Sequence, residues 1–342
     1  MKQYSRREAI RIFGIAGVAA ALLPERVFAE RVAQDKVVFG EGAHKYEWIP
    51  GWAKLPDGMK YVGSTHGNVG VDSKDRVYFE TDTDNAVMIF EPDGTFVKAW
   101  GKEFKGGAHG LKIAKEGDKE VLWLCHLGRH EVVKCTLDGE VLMAIPFPEK
   151  SGVYKDKNGY RPTGVAIASN GDVYVGDGYG ASWVHQWNAK GEYLRSWNGS
   201  EREGGKFNTP HGMCMDLRGA TPYVVVADRG NGRLQWFTLE GKFVSEAKEG
   251  MRNPCTLNIL GDDIIVPDLQ GRITILGKDN KLIAHLGENS NKDFRGKNPI
   301  APDKWKDGEF ISPHGATWDS KGDLYVEDWN ATGRINKMKR VK

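Results

Sequence analysis

Six short phrases hold the residues of this 342-residue chain that could do chemistry. They read Thr65-His66-Gly67, Ala108-His109-Gly110, Pro162-Thr163-Gly164, Pro210-His211-Gly212, Pro254-Cys255-Thr256 and Pro313-His314-Gly315. Aligned, their middle residues form one column: His66, His109, Thr163, His211, Cys255, His314. Neutral imidazole is the commonest metal ligand in proteins. Three that meet and leave a fourth position open make the catalytic arrangement favoured by Zn²⁺ and accepted by other divalent transition metals. The bland reading of a histidine before glycine is a turn residue or a satisfied core group. Two further side chains, Tyr179 and Arg229, stand in Gly-rich turns. A phenol beside a metal can act as a base and a guanidinium can hold an oxyanion. Their bland readings are a turn tyrosine and an arginine bridging neighbouring elements.

A column can converge only if the chain repeats. Tyr223–Phe237 reads as an apolar strand, a tight polar turn and an alternating strand. The phrase recurs at Val77–Phe90, Val121–Cys135, Val173–Trp187, Ile264–Leu276 and Leu324–Met338. Six copies at intervals of roughly 40 to 60 residues, with strand-period alternation and Gly/Asp/Asn turns, read as propeller blades. The fold class is all-β: a six-bladed β-propeller of NHL-type repeats. Inner strands line the axis of a propeller, so the column faces inward. His109, His211 and His314 fall on the second, fourth and sixth blades, 120° apart, a placement that nine scattered histidines would seldom reach. His66 lies six residues before Asp72, where His211 and His314 lie five before Asp216 and Asp319. It is open between a fourth ligand and an outer supporting group. Cys255 reads as a small buried residue before it reads as a ligand. The sixth copy has no room for an outer strand, and Lys45-Tyr46-Glu47-Trp48 resembles the outer strands ending Lys98-Ala99-Trp100 and Arg195-Ser196-Trp197. An N-terminal strand is therefore expected to close the ring. Glu149–Tyr160 and Glu288–Glu309 read as insertions between blades.

Residues 1–29 read as a twin-arginine signal peptide, and 30–342 as the propeller. Arg6-Arg7 precedes the uncharged apolar run Ile12–Leu23, and Val27-Phe28-Ala29 offers small residues for cleavage. A run of that length is too short to span about 30 Å of hydrocarbon as a helix, so no stable membrane span is expected after cleavage. The expected compartment is the periplasm or the exterior. The signal carries Lys2, Arg6, Arg7, Arg11 and Arg26 against Glu8 and Glu25, so the formal net charge of +2 becomes about −1 in the mature chain. A general electrostatic case for nucleic acid fails. Cys125 and Cys135 flank a hairpin; a disulfide and two buried thiols are both open.

From about Gly110 onward the chain resembles the catalytic core of peptidyl-α-hydroxyglycine α-amidating lyase, an NHL-repeat six-bladed propeller. The matching phrases are Arg161–Ala166, Val175–Tyr179, Pro210-His211, Ala227–Arg233 and Pro313-His314. The resemblance implies that His109, His211 and His314 are zinc ligands, Tyr179 a catalytic tyrosine and Arg229 an active-site arginine. The chain also departs from the family. Thr81-Asp82-Thr83-Asp84 stands where the family has an arginine in its first blade, which argues against the same carboxylate-bearing substrate. Gly315 replaces the aspartate that binds a structural Ca²⁺, which puts that site in doubt. No cysteine flanks Tyr179 or Arg229, so the family's disulfides are unmatched.

The expectation is a metal-dependent, lyase-like enzyme acting on a small polar or carbohydrate-like substrate. A second reading is a non-enzymatic propeller that binds protein or glycan, with Trp183, Trp305 or Trp329 on its loop face. A third keeps the metal only as a structural pin.

Overall fold

The computed structural model describes residues 36–341. The expected signal segment, with Arg6 and Arg7, lies outside the described residues. Six antiparallel sheets follow one another along the chain. Blade 1 comprises Val69–Val71, Val77–Glu80, Val87–Phe90 and Phe96–Trp100. Blade 2 comprises Ala108–Glu116, Lys119–His126, Glu131–Thr136 and Val141–Ile145. Blade 3 comprises Gly164–Ile167, Val173–Gly176, Val184–Trp187 and Tyr193–Trp197. Blade 4 comprises Pro210–Asp216, Tyr223–Asp228, Arg233–Phe237 and Phe243–Ala247. Blade 5 comprises Asn258–Leu260, Asp263–Asp268, Arg272–Leu276 and Leu282–Leu286. Blade 6 comprises Pro313–Trp318, Leu324–Asp328 and Arg334–Arg340.

Blade 6 is completed from the far end of the chain. Tyr46–Ile49 pairs antiparallel with Arg334–Arg340, Tyr46 opposite Arg340 and Trp48 opposite Met338. Val38–Phe39 adds a fifth strand outside it, which the repeat pattern does not announce. The closing strand is held by its side chains as well as its ladder: Tyr46 and Trp48 are buried, and Trp318 Nε1 donates to Tyr46 Oη at 2.9 Å. Burying each aromatic stabilises closure by about 2–3 kcal/mol, and pairing removes an exposed sheet edge.

The second strands are mostly apolar, as Tyr223–Asp228 is, because neighbouring blades cover both of their faces. The core accordingly divides into six clusters, each between adjacent blades. Tyr78 and Ile89 of blade 1 meet Leu111, Leu122 and Val133 of blade 2, and Ala166 and Val184 of blade 3 meet Met213, Val224 and Phe237 of blade 4. Outer strands are only partly buried, as Phe243–Ala247 is, because one face meets water.

Cys125 and Cys135 do not pair. In the ladder of blade 2, Cys125 lies opposite Val132 and Cys135 opposite Leu122, which separates them by three strand steps, about 10 Å, beyond the reach of a disulfide. All four cysteines are buried free thiols. The insertion Glu149–Tyr160 is packed: Tyr160 is fully buried, and Tyr154 Oη bonds Asp177 Oδ2 at 2.6 Å and His185 Nε2 at 2.7 Å. No helix among the described residues is long and apolar enough to cross a membrane.

Candidate metal centre

The inner strands deliver their column through two devices. The first is a buried aspartate at the end of the second strand. Asp228 accepts from Asn208 N at 2.7 Å, Asp268 from Arg252 N and Asn253 N at 2.7 and 2.8 Å, and Asp328 from Ile311 N and Ser312 N at 3.0 and 2.8 Å. These carboxylates pin the backbone two or three residues before His211, Cys255 and His314. The second device is one extra residue on the inner strand. In blade 4 the register steps from Pro210 opposite Asp228 to Met213 opposite Val226, and blades 2 and 6 show the same shift at Ala108 and Pro313. Such a bulge re-aims a side chain, here the histidine, toward the axis.

The glycine after each histidine has a steric reason. A Cβ on Gly110 would lie 2.5 Å from Thr163 O, one on Gly212 2.5 Å from Cys255 O, and one on Gly315 2.6 Å from Asn68 Cα. Without it, each inner strand lies against the next, and the histidine reaches the neighbouring blade's carbonyl. His109 Nδ1 bonds Thr163 O at 2.8 Å, His211 Nδ1 bonds Cys255 O at 2.9 Å, and His314 Nδ1 bonds Gly67 O at 2.7 Å. A carbonyl only accepts, so each Nδ1 carries the proton and each Nε2 keeps a lone pair. Backbone carbonyls commonly orient metal-binding imidazoles in this way.

The three rings converge. Their centroids are 4.7 Å apart for His109–His211, 4.8 Å for His211–His314 and 5.1 Å for His109–His314. Three imidazoles bound through Nε2 to one tetrahedral ion would place their ring centres about 5 Å apart. Nε2 of His109 and of His314 is buried without a hydrogen-bond partner. Burial pushes all three imidazoles well below their ordinary pKa, and neighbouring histidines and Arg229 add to the shift of each. They are neutral at pH 7, as ligands must be. The residues present therefore fit a transition metal.

His66 joins the ring. Its centroid is 4.8 Å from His109 and 5.0 Å from His314, and burial, then Arg229, lowers its pKa to about 4. The extra residue before Asp72 is absorbed by carboxyl groups: Gly67 N donates to Glu327 Oε1 at 2.7 Å and Asn68 N to Glu80 Oε2 at 3.0 Å. Glu80 and Glu327 are fully buried, and burial raises both well above the carboxylate range. The sequence reading missed this pair. Its signal was available: Glu80 ends the second strand of blade 1 and Glu327 stands next to last in that of blade 6. Two groupings of ligand atoms divide the ring among the described residues, with His66, His109 and His314 within 4.8 Å of one another and His211, Cys255 and His314 likewise, so that His109 and His211 fall in different groups. His314 belongs to both.

Tyr179 and Arg229 arrive at this ring from blades 3 and 4. Tyr179 Oη lies 3.2 Å from His211 Nε2 and 3.3 Å from His66 Nε2, and Arg229 Nη1 donates to it at 3.2 Å. Burial raises the phenol's pKa while the Arg229 charge opposes the rise. Trp329 stacks on His66 with centroids 5.4 Å apart. Trp305 Nε1 donates to Ile300 O at 2.9 Å, and Trp183 borders a cleft with Trp197 and Phe243. Asp82 stands at the turn of blade 1, and burial raises its pKa. A side chain on Gly315 would meet Asn68, so an aspartate there, as a Ca²⁺ ligand, has no room.

Fold and repeat together define a six-bladed β-propeller of NHL type. The NHL repeat model matches residues 160–187. In sequence the chain is similar to peptidyl-α-hydroxyglycine α-amidating lyases. It is 25% identical over 281 residues to amidating lyase 1 of Drosophila melanogaster, covering 75% of this chain and 49% of that one. To the probable lyase of Caenorhabditis elegans it is 33% identical over 135 residues, 38% of this chain and 36% of that one. To the peptidyl-glycine α-amidating monooxygenase of Mus musculus it is 28% identical over 176 residues. That match spans 48% of this chain but 17% of the mouse protein, so the chain covers half or less of each of these relatives. Among solved structures it is similar in fold to a streptogramin B lyase, with TM-score 0.57, 14% identity and 83% and 96% of the two chains covered. A Xanthomonas campestris gluconolactonase gives TM-score 0.55, 12% identity and 90% and 96% coverage.

Proposed function

We propose that the protein is an exported, metal-dependent lyase-like enzyme whose ion, a divalent transition metal such as Zn²⁺, is held on the propeller axis by His109, His211 and His314. The observation that carries this reading is the set of three Nδ1–carbonyl bonds, which leave an Nε2 lone pair on each of three neutral imidazoles whose ring centres lie 4.7, 4.8 and 5.1 Å apart. His66 borders the same centre. The bound metal would supply Lewis acidity toward a substrate oxygen. The chain's own groups then handle proton and charge. Tyr179 Oη takes the proton of a substrate hydroxyl while giving up its own, and Arg229 holds the developing oxyanion. His66 Nε2, at 3.3 Å, is placed to accept that proton onward. An elimination of this kind breaks one substrate bond as the hydroxyl proton leaves, and the leaving group is protonated in turn. No water or redox partner is consumed.

The amidating-lyase names of the relatives support the reaction class. The substrate is a small polar or carbohydrate-like molecule, because Asp82 at the blade 1 turn disfavours a carboxylate there. Trp329, stacked beside the centre, offers a flat face to such a molecule; it is also the observation that favours the second reading, a non-catalytic glycan-binding propeller. Elemental analysis of the purified protein beside a His211→Ala/His314→Ala variant tests the proposal. About one equivalent of transition metal, lost in the variant, is expected. No metal after reconstitution would leave the glycan-binding reading.

A further inference from the structure

The blade 5 position of the ring is a cysteine, and its surroundings are those of a ligand. Cys255 is fully buried, and its sulfur, one nitrogen of His211 and one of His314 lie within 4.8 Å of one another. Thr163, the other non-histidine of the ring, is occupied elsewhere. Its hydroxyl lies 3.2 Å from both Gly176 O and Pro210 O and accepts from Gly178 N at 3.1 Å. The Cys255 thiol meets the Arg229 guanidinium instead. Beside it, the buried His314 Nε2 has no partner in the protein.

We propose that Cys255 is a fourth donor to the axial metal, bound as a thiolate alongside His211 and His314, with a substrate oxygen entering as a fifth ligand. The proposal rests on the reading of the axis as a metal centre and specifies the class of ion. Metal–sulfur and metal–nitrogen bonds of about 2.3 and 2.1 Å place the two donor atoms about 3.6 Å apart at a tetrahedral angle. A contraction of about 1 Å from the present spread therefore completes the set. On binding, the S–H proton leaves to solvent and the sulfur electron pair forms the metal bond; the imidazoles contribute lone pairs and release no proton. Arg229, which meets the thiol, offsets the added negative charge. A thiolate selects borderline and soft ions, Zn²⁺, Co²⁺, Cd²⁺ or Cu⁺, over Ca²⁺ and Mg²⁺, which require oxygen donors.

Co²⁺ titrated into the metal-free full chain tests this by absorption. Tetrahedral visible bands together with a near-ultraviolet sulfur-to-cobalt charge-transfer band, the latter lost in Cys255→Ser, are expected. Visible bands without a sulfur band, unchanged in Cys255→Ser, would overturn Cys255 as a ligand and leave the histidine centre standing. No Co²⁺ uptake by the wild type would overturn both. If Cys255→Ser does not fold, X-ray absorption of the Zn²⁺-loaded wild type decides: a sulfur shell near about 2.3 Å supports the proposal, and a shell of nitrogen and oxygen alone refutes it.

Discussion

Gly212→Ala is a one-carbon change that isolates the device orienting His211. The new Cβ would lie 2.5 Å from Cys255 O and 2.5 Å from Thr256 Cα, both backbone atoms that no rotamer change can move. Ordinary contact begins near 3.4 Å, so the inner strands of blades 4 and 5 must part by up to about 0.9 Å. That carries the His211 Nδ1–Cys255 O bond from 2.9 Å to as much as about 3.8 Å, past hydrogen-bonding distance. The imidazole keeps its place but loses what sets its tautomer and orientation. Loss of such a partner lowers metal affinity about 10- to 100-fold, roughly 1.4–2.8 kcal/mol. Overpacking adds about 1–3 kcal/mol of destabilisation. Gly219→Ala, in the same blade with nothing within 4 Å of its Cβ, is the matched control. Zn²⁺ affinity by competition with a chromophoric chelator, and thermal unfolding of the metal-free protein, read the two effects separately. Wild-type affinity in Gly212→Ala would refute the claim that the glycine serves the histidine.

The axial histidines also set a pH dependence. Their folded pKa values lie below the unfolded value, His66 at about 4 against 6.5, so the unfolded chain binds more protons between those limits. Stability of the metal-free protein should hold above pH 7 and fall as the pH drops from 6.5 toward 4, by up to about 1.4 kcal/mol per pH unit per histidine; flat thermal melts across that window would contradict the burial of neutral imidazoles. Tyr179→Phe removes the hydroxyl between His66, His211 and Arg229, and should leave metal content unchanged while turnover of a substrate found by screening falls about 10²- to 10⁴-fold. Thiol titration should find no reactive cysteine in the native protein and all four in denaturant without reductant; fewer than four would reveal a disulfide.

Much of this protein was legible before its tertiary structure. The blades were legible because each repeats the same strand, turn and strand, and local alternation reports which faces are covered. The closing strand was legible because Lys45–Trp48 carries an outer-strand pattern with no blade of its own. The inward column followed from repeat register alone, and with it His109, His211 and His314. Tertiary structure decided what those residues do to one another. The Nδ1–carbonyl bonds join positions 54, 44 and 247 residues apart, so no local pattern could reveal which nitrogen faces the axis. His66 remained open in sequence because its extra residue is accommodated by Glu327 and Glu80, 260 and 12 residues from their partners. Cys255 resembled a small core residue until its sulfur was found among His211, His314 and Arg229. Sequence periodicity reports the burial of a face, which is a local property. Ligation and proton placement depend on distances across the axis, which exist only once the ring is closed.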